Sequence, residues 1–160
     1  MIYLLDANIF IQAHRVYYPF DVFPVFWDWL KGEFQKGSIK SIDLVYKEIM
    51  RQEDKLSVWC RDLDGESWLS VQDEQTQKTY ADIVNWIAGQ DFKQTAKDKF
   101  LNDADPWLIS KAKVTQFTVV TQETSDPKSK KKIFIPDVCN VFSVPYINTI
   151  QLTRKLGARF

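Results

Sequence analysis

Apolar positions fall into two kinds of block along this chain. The first kind is a short run without a charged residue, clearest at Ile2-Tyr3-Leu4-Leu5 and at Phe117-Thr118-Val119-Val120-Thr121. A strand buried on both faces of a parallel sheet reads this way, without the alternation of a half-exposed strand. Weaker runs at Ile39 to Ile42, at residues 68–71 and at Tyr146-Ile147-Asn148 predict three more strands. In the second kind, apolar residues recur at helical spacing. Residues 8–17 predict a short helix with Asn8 near its start. Residues 24–35 predict another, carrying Val25, Phe26, Trp29, Leu30 and Phe34. Pro24 suits its first turn and Gly37 its end. Between these two helices, Tyr17 to Pro24 is an aromatic-rich turn whose prolines stop any helix before it. Further helices are predicted from Asp43 onward, with Leu44, Val45, Glu48, Ile49 and Gln52 along the first. They continue through residues 53–62, 73–90, 103–114 and 137–142. Residues 124–132 read as a polar, lysine-rich loop. Strands alternating with helices predict an α/β fold, a three-layer α/β/α arrangement around a mostly parallel sheet of four to five strands. No Gly-, Ser- or Pro-rich linker interrupts the pattern, so residues 1–160 read as one domain.

Composition narrows the picture. Apolar residues make up 45% of the 160, with six Trp, six Tyr and eleven Phe, enough to build a core. No apolar run approaches the ~18 residues of a membrane span. The N-terminus has no basic region followed by a signal-type apolar segment, so a cytoplasmic protein is expected. Cys60 and Cys139 form no CxxC and read as reduced core thiols. One histidine, His14, argues against a His-rich zinc site or a His-dependent triad. Twenty-one acids balance twenty-one bases, so any nucleic-acid affinity must come from a local patch.

The candidate chemistry lies in the acids that end the predicted elements. Asp6 closes the first strand. Glu48 lies one turn into the helix after the second. Asp103 and Asp105 open the helix before the fourth, and Glu123 follows that strand by two residues. Each has an ordinary explanation when taken singly. Asp103 and Asp105 can cap a helix, Glu48 can be a solvated helix residue, and Glu123 a loop acid. Asp6 is harder to set aside, since Asp is disfavoured in strands, although it too can cap the next helix. Jointly, all of these positions can point to the carboxyl end of one parallel sheet, where such sheets bind ligands. Three to five carboxylates at one spot repel one another, and a hard divalent cation such as Mg²⁺ or Mn²⁺ is the economical explanation.

This order of acids resembles the PIN-domain nucleases. Their pattern reads here as Asp6-Ala7-Asn8, then Val45-Tyr46-Lys47-Glu48-Ile49. It continues with Asp105-Pro106-Trp107-Leu108-Ile109-Ser110-Lys111-Ala112 and Thr121-Gln122-Glu123, and it spans essentially the whole chain. The segments Tyr17-Tyr18-Pro19-Phe20, Ala104 to Trp107 and Ile135 to Cys139 look like a PIN-like subfamily of unknown function. The resemblance implies a Mg²⁺- or Mn²⁺-dependent ribonuclease, in many members the toxin half of a toxin–antitoxin pair and often a homodimer. Asp6, Glu48 and Asp105 would hold metal, with Glu123 assisting, and Asn8 and Thr121 would orient ligands or water. Two departures stand out. The fourth acid is Glu123 rather than Asp, and Asp103 is an extra carboxylate. Residues two apart on a helix face different ways, so Asp103 and Asp105 can both serve only if the segment is still turning there. Asp126 is a weaker alternative for the fourth position.

Two readings stay open for the bases. Lys128, Lys130, Lys131 and Lys132 can track RNA phosphates at the rim of the site or form a solvated loop. Arg15 and His14 can touch RNA or serve the surface and core. The aromatic stretch from Tyr17 to Trp29 can stack bases, pack a helix on the sheet, or offer a surface to a partner protein. Two other functions compete with the nuclease. A haloacid-dehalogenase-type phosphatase would need an acid where Asn8 stands. A PIN-like module that binds RNA or protein without turnover would be free to lose carboxylates, and this chain has the full set.

Overall fold

A computed structural model describes all residues, 1–160. Five parallel strands form the central sheet: β1 Tyr3–Leu5, β2 Ile39–Ile42, β3 Trp68–Leu69, β4 Thr118–Val120 and β5 Tyr146–Ile147. Their spatial order is β3-β2-β1-β4-β5. The first strand is therefore the middle one. Tyr3 pairs with Ile39 on one side and Thr118 on the other. That explains its unbroken apolar sequence: Leu4 and Leu5 are wholly buried, as are Val119 and Val120 of its neighbour. The chain builds the sheet outward from β1 in one direction through β2 and β3. It then returns to build the other way through β4 and β5, so the order reverses between β1 and β4. A crevice at such a reversal is where open α/β sheets place their sites.

Nine α-helices connect and cover the strands: α1 Ala7–Gln12, α2 Pro24–Lys36, α3 Asp43–Ile49, α4 Lys55–Arg61, α5 Glu74–Ala88, α6 Gln94–Asn102, α7 Asp105–Thr115, α8 Ile135–Val141 and α9 Thr149–Lys155. One continuous core of 35 buried residues lies between helices and sheet. The predicted helix at 24–35 forms as expected, with Pro24 in its first turn. Gly37 sits at its end at φ 78°, a left-handed conformation natural to glycine. Cys60 and Cys139 are free and buried, and burial pushes both thiols up to about 12.

Three local outcomes differ from the sequence pattern. The helix expected over 8–17 is α-helical only to Gln12 and continues as a π-helix from Ala13 to Tyr17. This wider turn leads into an aromatic knot in which Tyr18 stacks on Phe26 at 4.1 Å and Phe20 on Trp27 at 4.1 Å. Trp27 Nε1 donates to the Tyr18 carbonyl at 2.7 Å, so a buried indole is satisfied. Within the stretch Phe26 and Trp27 are buried as packing, while Tyr17, Val22, Phe23 and Val25 stay exposed. Helices α6 and α9 have no forecast in the sequence. In α6 only Ala96 and Phe100 are buried, too thin a stripe to register as periodicity. In α9 seven residues are stabilised by a reciprocal cap between Asn148 and Gln151.

The third difference shapes the site. The helix expected from residue 103 begins at Asp105, and Asp103 is the extended residue that ends α6 (φ −91°, ψ 173°). Asp103 and Asp105 therefore flank a joint between two helices. The helical rule that would turn them apart does not apply there.

Candidate metal centre

Asp6 leaves β1 and caps α1. Its backbone N–H bonds the Val120 carbonyl at 3.0 Å, and its Oδ1 accepts the Asn8 N–H at 3.4 Å. Asn8 thus acts through its backbone, and its side chain is exposed. Across the sheet reversal, Thr121 Oγ1 donates to Asp6 Oδ2 at 3.1 Å and accepts the Glu123 N–H at 3.1 Å. A single buried hydroxyl therefore joins the carboxyl ends of β1 and β4. Ser41 Oγ on β2 donates to the Leu5 carbonyl at 2.6 Å, bracing the last peptide of β1 from the other side.

The other acids converge from separate elements. Glu48 is half-buried on α3, Asp105 opens α7, and Asp103 lies just before it. Glu123 follows β4, and its Oε1 accepts the Ile135 N–H at 3.4 Å. Its Oε2 is buried without a hydrogen-bond partner, and the nearest cation is Lys132 Nζ at 4.0 Å.

The electrostatics of these acids reflect one shared space. Burial first, then the charge of Glu123, raises Asp6 far above the carboxylate range. Asp105 is raised further, by burial and then by Asp6, Glu123, Asp103 and Glu48 together. Glu48 is raised by burial and then by Asp103, with Arg51 opposing. Glu123 is raised by burial, with Lys132 opposing it most strongly. Desolvation and like charge both favour the neutral form of a carboxyl. Without a counter-charge, the cluster holds protons that ordinary carboxylates would release.

The side chains do not close into a ready cage: no three His, Cys, Asp or Glu groups stand at the spacing of a metal's ligands. The donor set still fits a hard divalent cation. It is oxygen only, it excludes His14 and both cysteines, and it includes a buried oxygen with no partner.

The predicted bases part company. Lys131 and Lys132 line a cavity of about 300 Å³ beside Asp103 and Asp105, together with Lys99. Lys132 also lies over the Phe134 ring at 4.8 Å. Lys130 instead lies over Phe92, 5.7 Å from the ring centre, and faces a different cavity. Lys128 is exposed. Arg15 donates to Gln52 Oε1 at 3.0 Å, in a cavity that Glu48 also lines. Asp126 is exposed, and it is its backbone N–H that is held, by Asp137 Oδ2 at 3.0 Å.

Three residues near the cluster escape sequence reasoning. Lys99 arrives on the unforeseen α6. Arg51 follows Glu48 by three positions, a helical-neighbour spacing that points to it in hindsight. Asp137 anchors the loop after Glu123 through Ser125 and Asp126, and only the fold brings it there.

A family model described as Domain of unknown function (DUF4411) matches residues 3–160. Among solved structures, the chain is similar to one in the crystal structure of VapBC2 from Rickettsia felis bound to a DNA fragment from their promoter. The identity is 14%, the match covers 92% of this chain and 98% of that one, and the TM-score is 0.55. A likeness at that identity speaks for fold, and the fold is PIN-like. No curated protein matches the chain.

Proposed function

We propose that this chain, which belongs to the DUF4411 family and has a PIN-like fold, is a Mg²⁺- or Mn²⁺-dependent endoribonuclease, the toxin of a toxin–antitoxin pair acting in the cytoplasm. One observation carries the reading. Acids from four separate parts of the chain face a shared space at the sheet reversal, near enough to feel one another's charge, and two of them, Asp6 and Asp105, are pushed toward neutrality by burial and mutual charge. Perturbed groups of this kind concentrate at functional sites. No helix is long and apolar enough to cross a membrane.

In this reading Asp6, Glu48, Asp105 and Glu123 hold the cation, with Asp103 as a further oxygen donor. The cation would supply Lewis-acid activation of water and neutralise charge building on the phosphodiester. The chain's own groups do the positioning. Thr121 and the Asn8 N–H fix the two Asp6 oxygens, and the Ile135 N–H fixes one oxygen of Glu123. Burial of Asp6 and Glu123 keeps bulk water from screening them. The toxin role rests on fold likeness to a VapBC2 chain and on the resemblance to PIN toxins, which also suggest an antitoxin partner. An inactive PIN-like binding module is the competing reading, and the open spacing of the acids is the observation that favours it.

The deciding experiment is Mn²⁺-dependent cleavage of single-stranded RNA by wild type and Asp6→Asn. Cleavage by wild type should fall by on the order of 10²-fold or more in the variant, the scale of losing one preorganised electrostatic group. Undiminished cleavage by the variant would sink the proposed site. Failure of wild type to bind Mn²⁺ in a calorimetric titration would select the inactive module.

A further inference from the structure

The acid cluster is flanked by two separate cavities that share no residue. The first, about 300 Å³, is lined by Lys99, Lys131 and Lys132 and reaches Asp103 and Asp105. The second, about 180 Å³, is lined by Arg15, Arg51 and Gln52 and reaches Glu48; Asp54 also borders it, with its carboxylate engaged in capping α4 through the Ser57 N–H at 2.9 Å. The sheet order sets them on opposite sides of Asp6. Glu48 follows β2 and Lys131 follows β4, and β1 lies between those strands. At these volumes neither reaches beyond the small end of small-molecule pockets. Each suits a segment of a longer ligand.

Apart from Lys132, which lies 4.0 Å from Glu123 Oε2, the bases in both cavities are free to meet an anion. Lys99, Lys131, Arg15 and Arg51 take part in none of the chain's ion pairs. Arg15 is held by the neutral carboxamide of Gln52, which orients the guanidinium without neutralising it. The lysine segment is also held. The Lys93 N–H bonds the Lys130 carbonyl at 2.9 Å, and the Lys132 N–H bonds Ser129 Oγ at 3.4 Å. In a chain of zero net charge, this places unpaired cations on both sides of the most acidic spot.

Resting on the nuclease reading above, we infer that a single RNA strand crosses the carboxylates from one cavity to the other. One backbone phosphate sits among Lys99, Lys131 and Lys132. Another, on the far side of the bond to be cut, sits against Arg15 and Arg51. The acids alone repel a polyanion, and cations on both flanks are what let a strand lie over them. The arrangement selects an internal bond of a single strand. A terminal nucleotide fills only one cavity, and an A-form duplex has a fixed width that cannot follow a path set by two small recesses.

The test is fluorescence anisotropy of an eight-nucleotide single-stranded RNA with Ca²⁺ as the bound cation, across a salt series. The proteins are wild type, Lys99→Ala/Lys131→Ala and Arg15→Ala/Arg51→Ala, with Mn²⁺ titration confirming that each pair variant still folds and binds metal. Each pair should weaken binding by roughly 10-fold. It should also lower the slope of log affinity against log salt by about 0.7 for each phosphate no longer neutralised. A slope unchanged in either pair overturns the inference, even if wild type cleaves RNA normally. Duplex RNA bound as tightly as the single strand also overturns it. If both slopes fall but wild type cuts no RNA, the strand path stands and the nuclease reading fails.

Discussion

Thr121 shows how much one side chain carries. Its hydroxyl donates to Asp6 and accepts from the Glu123 backbone, so it sets two of the acids at once. Thr121→Val keeps the shape but removes both bonds and leaves Asp6 buried with one donor fewer. Mn²⁺ affinity should fall ~10- to 100-fold, the usual cost of losing a partner that orients a metal ligand. Thr121→Ser should restore most of it in the same titration. At this scale the sequence is partly readable. Asp6 stands out because an apolar strand ending in an acid is unusual, and Thr121 because it sits at the matching end of β4. Lys99 does not stand out, since an isolated base has no neighbour pattern to betray it, and Arg51 shows only its three-residue spacing from Glu48. Asn8 draws notice for its carboxamide, but its backbone N–H makes the contact, and no side-chain motif can report that.

Among the elements, the joint between α6 and α7 decides the site. Asp105 is positioned by α7, and α7 is held by α5. Tyr80 stacks on Trp107 with ring centres 3.7 Å apart, and Lys111 pairs with Asp73 at 2.8 Å. Asp73 also caps α5 by accepting the Thr76 N–H at 3.0 Å. Asp73→Ala should therefore cost about 1 kcal/mol in chemical denaturation, the usual worth of a lost cap. The half-buried ion pair with Lys111 adds to that loss. Mn²⁺ affinity should hardly change, because the Tyr80–Trp107 stack still seats α7. The strands and the long helices follow from their periodicity. The site hinges instead on α6, whose thin apolar stripe leaves residue 103 looking like the start of a helix rather than the end of one.

For the whole molecule, the acid cluster makes stability depend on pH and metal together. Asp6, Asp105, Glu48 and Glu123 are all raised by folding. The folded state therefore binds more protons than the unfolded one. Stability is fully present below the ordinary carboxylate range, near pH ~4, and is lost as pH rises through the elevated folded values. Thermal unfolding in EDTA should give a lower Tm at pH 8 than at pH 5.5, against the more common trend. Saturating Mg²⁺ or Mn²⁺ should remove that fall, since a bound cation takes the place of the protons and stabilises the state that holds it. A Tm that rises with pH in EDTA would show that the acids do not share a buried space.

The central place of β1 has a consequence for synthesis. The strand made first needs β2 on one edge and β4 on the other, and the second neighbour begins only at Thr118. On the ribosome, Asp6 emerges 115 residues before Thr121 and cannot meet it or Glu123 until they follow. A nascent or interrupted polypeptide therefore carries no assembled centre.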